Sequence, residues 1–259
     1  MLVRALVWDC PILILEPRSN PFLALPEDYS PDFVAMVPLQ VEACLEDPQA
    51  LDKLTKVSNL IIGGAPISQK IKSQLVDNQI SAWQTYGMTE TVSHIALAKI
   101  NKEELIYRTL PNVEIGQDHR GAIWIKSEMS GSEKIQTNDL IELISKTSFH
   151  WLGRTDFVIN SGGIKLHPEL LEDKAEALVE KYFPSCRFFF FGEKDEKLGE
   201  QLVLIIEKAT GNEVLAKLLQ RNLKNRLSKF ELPKKIYFSK SFITTESGKI
   251  NRRTTFQNL

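Results

Sequence analysis

The chain has 259 residues, 43% hydrophobic and 25% charged, an ordinary balance for a soluble protein with room for one large or two modest cores. Thirty-two basic residues against thirty-three acidic ones leave a formal charge of -1, so no global field recruits nucleic acid or an anionic membrane, and neither is expected as a partner. Cys10, Cys44 and Cys186 are scattered and lack any CxxC or Cys/His spacing, which argues against a disulfide framework or a zinc site and for the reduced thiols of a cytoplasmic protein.

Taken in chain order, residues 2 to 8 read as one or two helical turns, as if the chain began inside a helix. Ile12 to Leu15 reads as a short buried strand closed by Glu16-Pro17. Neither stretch is long enough to span a membrane. Phe33-Val-Ala-Met-Val-Pro38 predicts a strand and residues 39 to 46 a helix. Asn59-Leu-Ile-Ile-Gly63-Gly64-Ala65-Pro66 predicts a strand ending in a glycine-rich turn, and Ile67, Ile71 and Leu75 place an apolar stripe on a helix over 66–78. Ile80 to Gln84 is a second strand. Strands alternating with helices imply a largely parallel sheet. From about residue 95 the pattern shifts to short strands, at 95–100, 114–116, 121–126 and 140–144, which predicts a small antiparallel or barrel-like sheet. Beyond Arg154 comes an α+β unit: a helix opening with His167-Pro168 and running to about Tyr182, strands at 187–191, 201–206 and 235–238, and a helix over 212–227. The run Phe188 to Phe191 reads as a buried strand rather than a binding site. The expected fold is therefore α/β, a partial large parallel-sheet domain over 1–155 with a small barrel-like part, followed by a smaller α+β domain over 156–259.

Three stretches carry chemistry. Two of the predicted strands end in loops, Gly63-Gly64-Ala65-Pro66 and Tyr86-Gly87-Met88-Thr89-Glu90, and ligands of open α/β sheets bind outside the carboxyl ends of strands. Gly87 would let backbone approach a ligand, Thr89 offers a hydroxyl to a phosphate oxygen, and Glu90 offers a carboxylate to Mg²⁺. Further on, Asp139 and Arg154 bracket a β-like run. A carboxylate accepts both hydroxyls of a ribose and a guanidinium supplies fixed donors, so the pair suits a ribose clamp, although taken alone an ordinary surface salt bridge is the better reading. Near the end, Ser247-Gly248-Lys249 is not a phosphate loop, because positions 243 and 250 are both Ile where Gly and Ser or Thr would be needed.

Tyr86-Gly87-Met88-Thr89-Glu90 resembles the Tyr-Gly-x-Thr-Glu motif of the acyl-adenylate-forming superfamily, which includes acyl- and aryl-CoA ligases. Gly153-Arg154-Thr155-Asp156 followed by Gly162-Gly163-Ile164-Lys165 resembles its hinge segment, and Gly248-Lys249-Ile250-Asn251-Arg252 its C-terminal Gly-Lys-Ile-x-Arg motif. The resemblance implies that Gly63, Gly64, Ala65, Pro66, Tyr86 and Gly87 face ATP or AMP and that Asp139 and Arg154 hold the ribose. It further implies that Asp156 is the hinge, that Gly162 and Gly163 flank the path of coenzyme A, and that Lys249 acts with Thr89 and Glu90 in adenylation, where a mobile cation stabilises charge on the α-phosphate. The partners implied are ATP, Mg²⁺, coenzyme A and a small carboxylic acid. Tyr86 through Ala96 is most similar to the o-succinylbenzoate-CoA ligase branch, which would put Ser93 and His94 near the acyl group and Arg4 opposite a substrate carboxylate. The superfamily also carries an upstream Thr/Ser/Gly-rich loop ending in Lys that wraps the β- and γ-phosphates, and no segment before residue 59 matches it. The chain is thus expected to correspond to the later two-thirds of an ATP-dependent acid-CoA ligase, the alternatives being another aryl- or acyl-CoA ligase, a non-catalytic nucleotide- or CoA-binding remnant, or one half of a split enzyme working with a separate N-terminal polypeptide.

Overall fold

The computed structural model describes residues 2–27, 29–131, 133–245 and 249–259. The chain forms two units, one comprising Met1–Gly116, Trp124–Ile135 and Leu143–Trp151, the other Gln117–Ile123, Gln136–Glu142 and Leu152–Leu259. Among the described residues no helix is long and apolar enough to cross a membrane.

The first unit opens with helix α1 (Leu2–Trp8), a 3-10 turn at Pro21–Ala24, and strand β1 (Phe33–Met36). Helix α2 (Pro38–Glu46) begins with a proline whose missing N–H costs nothing at that position, and Gln40 Oε1 accepts the Val37 N–H at 3.2 Å. Helix α3 (Pro48–Thr55) is capped by Asp47, which accepts from Gln49 and Ala50 N–H at 3.0 and 2.9 Å. Strand β2 (Asn59–Ile62) leads through the glycine turn to helix α4 (Gln69–Asp77). That helix starts at Ser68, whose hydroxyl caps Ile71 N–H at 3.2 Å, so it begins later than the apolar stripe suggests. Strands β3 (Ala82–Gly87), β4 (His94–Lys99) and β5 (Tyr107–Thr109) follow. The strands β1, β2 and β3 are parallel, whereas β4 and β5 run antiparallel to their neighbours, so the switch in pattern expected near residue 95 falls at the β3–β4 hairpin. Val41, Ala50, Leu54, Leu60, Ile62 and Leu75 are buried together, each large aliphatic side chain removed from water contributing about 1.5–3 kcal/mol.

Ile12 to Leu15 is not a strand. No other described segment takes its N–H and C=O groups, β1 pairs only with β2, and Ile12, Leu13 and Ile14 are exposed together with Leu2, Val3, Leu6, Val7 and Trp8 of α1. Apolar content alone suggested burial, and without a neighbour to complete a ladder it does not make a strand.

Strands β6 (Glu114–Gln117), β7 (Ala122–Lys126), β8 (Ile135–Ser145) and β9 (Ser148–Arg154) complete a sheet of order β1-β2-β3-β4-β5-β9-β8-β7-β6. A second sheet contains β10 (Ile159–Ser161), β11 (Ile164–Leu166), β12 (Phe188–Asp195), β13 (Gly199–Glu207) and β14 (Lys235–Ser239), in the order β11-β10-β13-β12 with β14 parallel to β13. Helices α5 (Pro168–Tyr182), α6 (Glu213–Leu223) and α7 (Arg252–Gln257) belong to the same unit. The four-phenylalanine run is a strand covered on both faces. Phe190 lies in the cluster with Leu171, Val179 and Leu219, while Phe189 lies on the other side with Val203 and Phe242. A strand buried on both faces needs no polar alternation, which explains the unbroken apolar run.

Candidate functional site

In the first unit, two loops meet at the ends of β2 and β3. The Gly63 N–H donates to Met36 O at 3.1 Å, and Gln84 Nε2 donates to Ala65 O at 3.4 Å, tying the Gly63-Gly64-Ala65-Pro66 turn to β1 and β3. Gln84 is buried and its Oε1 has no hydrogen-bond partner among the described residues. Tyr86 is equally buried, its ring packed edge-on against Tyr107 and Phe149 at 5.8 and 5.3 Å. It therefore serves as the packed root of the loop as well as a member of the motif. Beyond it the chain turns outward, and Gly87, Thr89 and Glu90 are exposed.

Gly87 is required by close approach. A β-carbon there would lie 2.5 Å from His94 Cα and 2.6 Å from Ser93 O, which are backbone atoms that cannot swing aside. The register of β3 with β4 slips at this point, between Tyr86 and Gly87. The hydroxyl of Thr91, fully buried, holds the returning turn: it accepts Met88 N–H at 3.1 Å and lies 3.0 Å from Met88 O and 2.8 Å from Ser93 O. Sequence reasoning passed over Thr91, although a hydroxyl residue at the end of a tight turn is the signal for such a role. The result is to present Ser93 and His94, whose Oγ and Nδ1 stand 3.3 Å apart. Burial first, and then the Arg4 guanidinium, hold the His94 pKa below its usual value. Arg4 thus bears electrostatically on His94. The Arg4 guanidinium also stacks over Phe33, 5.0 Å from its centroid.

An open cleft of about 740 Å³ in the same unit is lined by Arg108, Asn112, Glu114, Lys126 and Glu128 among others, and by none of the expected site residues. Its cations stand beside acids of equal number, so it offers no net charge to a ligand.

In the second unit, β8 and β9 carry Asp139 and Arg154. Arg154 Nη1 donates to Asp139 Oδ1 at 3.2 Å and Nη2 to Asp156 Oδ2 at 2.8 Å, while Asn138 Nδ2 donates to Asp156 Oδ1 at 3.2 Å. The side chain of Asp139 is 13% exposed and that of Arg154 42%, so the pair is a half-buried constellation with an open rim rather than an isolated surface bridge. Asp156 sits in a 3-10 turn, Thr155–Phe157, that follows β9 directly. Gly162 and Gly163 form the two-residue turn of the β10–β11 hairpin, and the space a side chain on Gly163 would take is open.

Lys249 lies on a second hairpin. Thr244 bridges to Ile250, Thr245 N–H donates to Lys249 O at 2.8 Å, and Lys249 N–H donates to Thr245 Oγ1 at 3.2 Å. Its side chain is exposed. Glu246, Ser247 and Gly248, the other residues of this motif's first half, lie outside the described residues. Three residues after the lysine, Arg252 is anchored by Glu172 of α5 through Nη1–Oε1 and Nη2–Oε2 contacts of 2.7 and 2.8 Å, and it stacks over Phe157, 4.8 Å from the ring centroid. Glu172 also accepts the Phe190 N–H at 2.9 Å. Burial pushes its carboxyl up to about 7, with Arg252 opposing. This buried acid–guanidinium anchor was not anticipated from the sequence, although the arginine belongs to the C-terminal motif.

Among the described residues no three acids, histidines or cysteines cluster to hold a metal. Glu90 is a single exposed carboxylate. That fits Mg²⁺, which is bound through one or two carboxylates and substrate phosphates rather than a protein cage.

The sheets and the order of these loops define an α/β protein of the adenylate-forming enzyme fold. The o-succinylbenzoate coenzyme A synthetase of Bacillus subtilis, solved with ATP and magnesium ion, shares that fold at 19% identity and a TM-score of 0.67, with 86% of this chain and 51% of that one covered. A 2-succinylbenzoate–CoA ligase of Lactococcus lactis subsp. lactis is 27% identical over 212 residues, 75% of this chain and 45% of that protein. An acyl-CoA synthetase (AMP-forming)/AMP-acid ligase II-like protein of Dyadobacter fermentans is 39% identical over 94% of this chain and 69% of its own, with a TM-score of 0.53. Residues 4–122 match the model of the AMP-binding enzyme family. The chain belongs to that family of AMP-binding enzymes. It spans about half the length of the curated relatives it matches.

Proposed function

We propose that this chain acts in an AMP-forming acid-CoA ligase, with o-succinylbenzoate as the acid. The observation that carries the reading is the Asp139–Arg154–Asp156 constellation at the end of β9, an acceptor carboxylate and a fixed guanidinium immediately before a turn. In the proposed roles, Asp139 accepts the ribose hydroxyls and Arg154 donates to the ribose. The Gly63-Gly64-Ala65-Pro66 turn and the segment Tyr86-Gly87 border the nucleotide. Thr89 donates to a phosphate oxygen, and Glu90 would hold Mg²⁺, which neutralises phosphate charge when bound. Lys249 places its ammonium on the carboxylate and α-phosphate while the acyl-adenylate forms. Arg4 meets a carboxylate of the dianionic acid, with Ser93 and His94 at its aromatic side. Gly162 and Gly163 leave room for the pantetheine arm of coenzyme A. Residues 1–155 then form part of the large AMP-binding domain and 156–259 the small domain that turns about Asp156 between the two half-reactions. Unpaired, scattered thiols are those expected of a cytoplasmic protein, which is the compartment proposed.

The test is pyrophosphate release with ATP, Mg²⁺ and o-succinylbenzoate. Acid-dependent release is expected, and Lys249→Ala should abolish it while sparing thioester formation from supplied o-succinylbenzoyl-AMP and coenzyme A. Equal loss in both steps would remove Lys249 from its role.

A further inference from the structure

Two acids stand three residues apart on α5, Glu169 and Glu172, and they are unequally served. Glu172 takes both terminal nitrogens of Arg252 and the Phe190 N–H. Glu169 is left with a buried Oε2 that has no hydrogen-bond partner among the described residues. A buried carboxylate oxygen without a partner carries a full desolvation penalty, so something must hold it there.

What lies against it is the chain just before the proposed hinge. A β-carbon on Gly153 would fall 2.6 Å from Glu169 Oε2 and 3.0 Å from its Cδ, and the Gly153 backbone has φ of +126°. Any side chain at 153 would drive the carboxylate out, so glycine and glutamate fit one another. The Arg154 backbone N–H and guanidinium both favour the charged form of Glu169, as does Arg252, against burial, which disfavours it most. Residues 153 and 154 precede Asp156 in the chain and residue 169 follows it. A rotation about Asp156 carries α5 away from Gly153, and a contact this close does not survive it.

We propose that Glu169 is a positioning residue that holds the Gly153–Arg154 segment in one of the two orientations about Asp156, and so sets the balance between the half-reactions. The proposal rests on the reading of Asp156 as hinge. It assigns Glu169 no contact with substrate. Its carboxylate, packed against Gly153 and favoured in its charged form by the Arg154 backbone N–H, steadies the segment that carries the guanidinium to Asp139. Losing one charged contact of this kind changes such a balance by about tenfold.

Trypsin cleaves after Arg154, inside the segment in question, so the rate of that cut in the full chain reads how often the contact opens. Mass spectrometry of brief digests should show the fragment ending at Arg154 appearing about tenfold faster in Glu169→Ala. The cut after the exposed Lys102 should be unchanged. Glu169→Gln, whose amide oxygen still accepts an N–H, should rise by roughly a third of that. Unchanged cutting at Arg154 in both variants, or equal acceleration at Lys102, overturns the proposal, and should the alanine variant not fold, the glutamine variant decides it. The second arm compares ATP–pyrophosphate exchange driven by o-succinylbenzoate with thioester formation from supplied o-succinylbenzoyl-AMP. Glu169→Ala should move the ratio of these rates by about tenfold, with Glu169→Gln restoring most of it. A faster cut with an unmoved ratio removes Glu169 from the hinge. Absence of exchange in the unaltered chain counts against the proposed function instead, and the trypsin result then decides Glu169 by itself.

Discussion

Glu172 makes the stability of the second unit depend on pH in a direction opposite to that of most ion-paired acids. In the unfolded chain its carboxyl titrates at 4.5, and in the fold burial raises it to about 7. Between these values the folded state holds a proton that the unfolded state has released, so stability falls as pH rises through the window and is flat above it. At roughly 1.4 kcal/mol for each pH unit, the loss comes to about 3 kcal/mol, most of it expressed between about pH 5 and about pH 8. Glu172→Gln has no carboxyl to titrate. The assay is urea unfolding followed by circular dichroism, with hydrogen exchange of the β12 amides reporting this unit, for both proteins at the two pH values. The stability of the unaltered protein relative to the variant should drop by about 2–3 kcal/mol on going to the higher pH. Other shifted groups cancel in this comparison, including His94 and His167, whose pKa values are lowered and whose effect has the opposite sign. Parallel pH profiles for the two proteins would refute the reasoning.

Gly87→Ala should destabilise the first unit by about 1–3 kcal/mol, since a β-carbon forced against the His94 and Ser93 backbone must push β3 and β4 apart. The tryptophans at 8, 83, 124 and 151 all lie in that unit, so a urea midpoint from fluorescence reads it, and an unchanged midpoint contradicts the close approach. Thr91→Val keeps the shape but leaves the Met88 N–H without its acceptor. It should cost about 1–3 kcal/mol in the same assay and weaken acid binding, because the turn sets the course of Ser93 and His94. Arg252→Ala strands the buried Glu172 carboxylate and should cost about 3–5 kcal/mol, by the urea unfolding of the second unit. A loss below about 1 kcal/mol would mean that the anchor is replaceable.

Much of the fold could be read from alternation and punctuation. The strands at 33–36 and 59–62 announce themselves by apolar runs ending near proline or glycine, the strand at 122–126 by an apolar run after Gly121, and the helix over Pro168–Tyr182 by its starting proline and apolar face. Ile12 to Leu15 misled because apolarity reports a preference for burial and not the presence of a partner strand. The α3 helix was missed because Pro48-Gln-Ala-Leu-Asp-Lys-Leu-Thr55 is only two turns long, too short for periodicity to register, although Asp47 before Pro48 is a good start signal. In the site, Asp139, Arg154 and Asp156 were legible as chemistry and the structure joins them by hydrogen bonds. The Glu169, Glu172 and Arg252 cluster was not, because an acid's burial depends on where a helix face packs. Only three-dimensional closure brings residue 252 back to residue 172.

The central claim is that this chain recognises an acyl-adenylate. The direct measurement is calorimetric titration of the chain with a non-hydrolysable sulfamoyl analogue of o-succinylbenzoyl-AMP, beside AMP alone. Intermediate analogues bind at least about a hundredfold more tightly than partial ligands when a site is built for the intermediate. The account predicts that margin, and a loss of at least about tenfold for the analogue in Asp139→Ala, the loss of one hydrogen bond to a charged group. Equal, weak binding of analogue and AMP, or an Asp139→Ala variant that binds as the unaltered chain does, would contradict it.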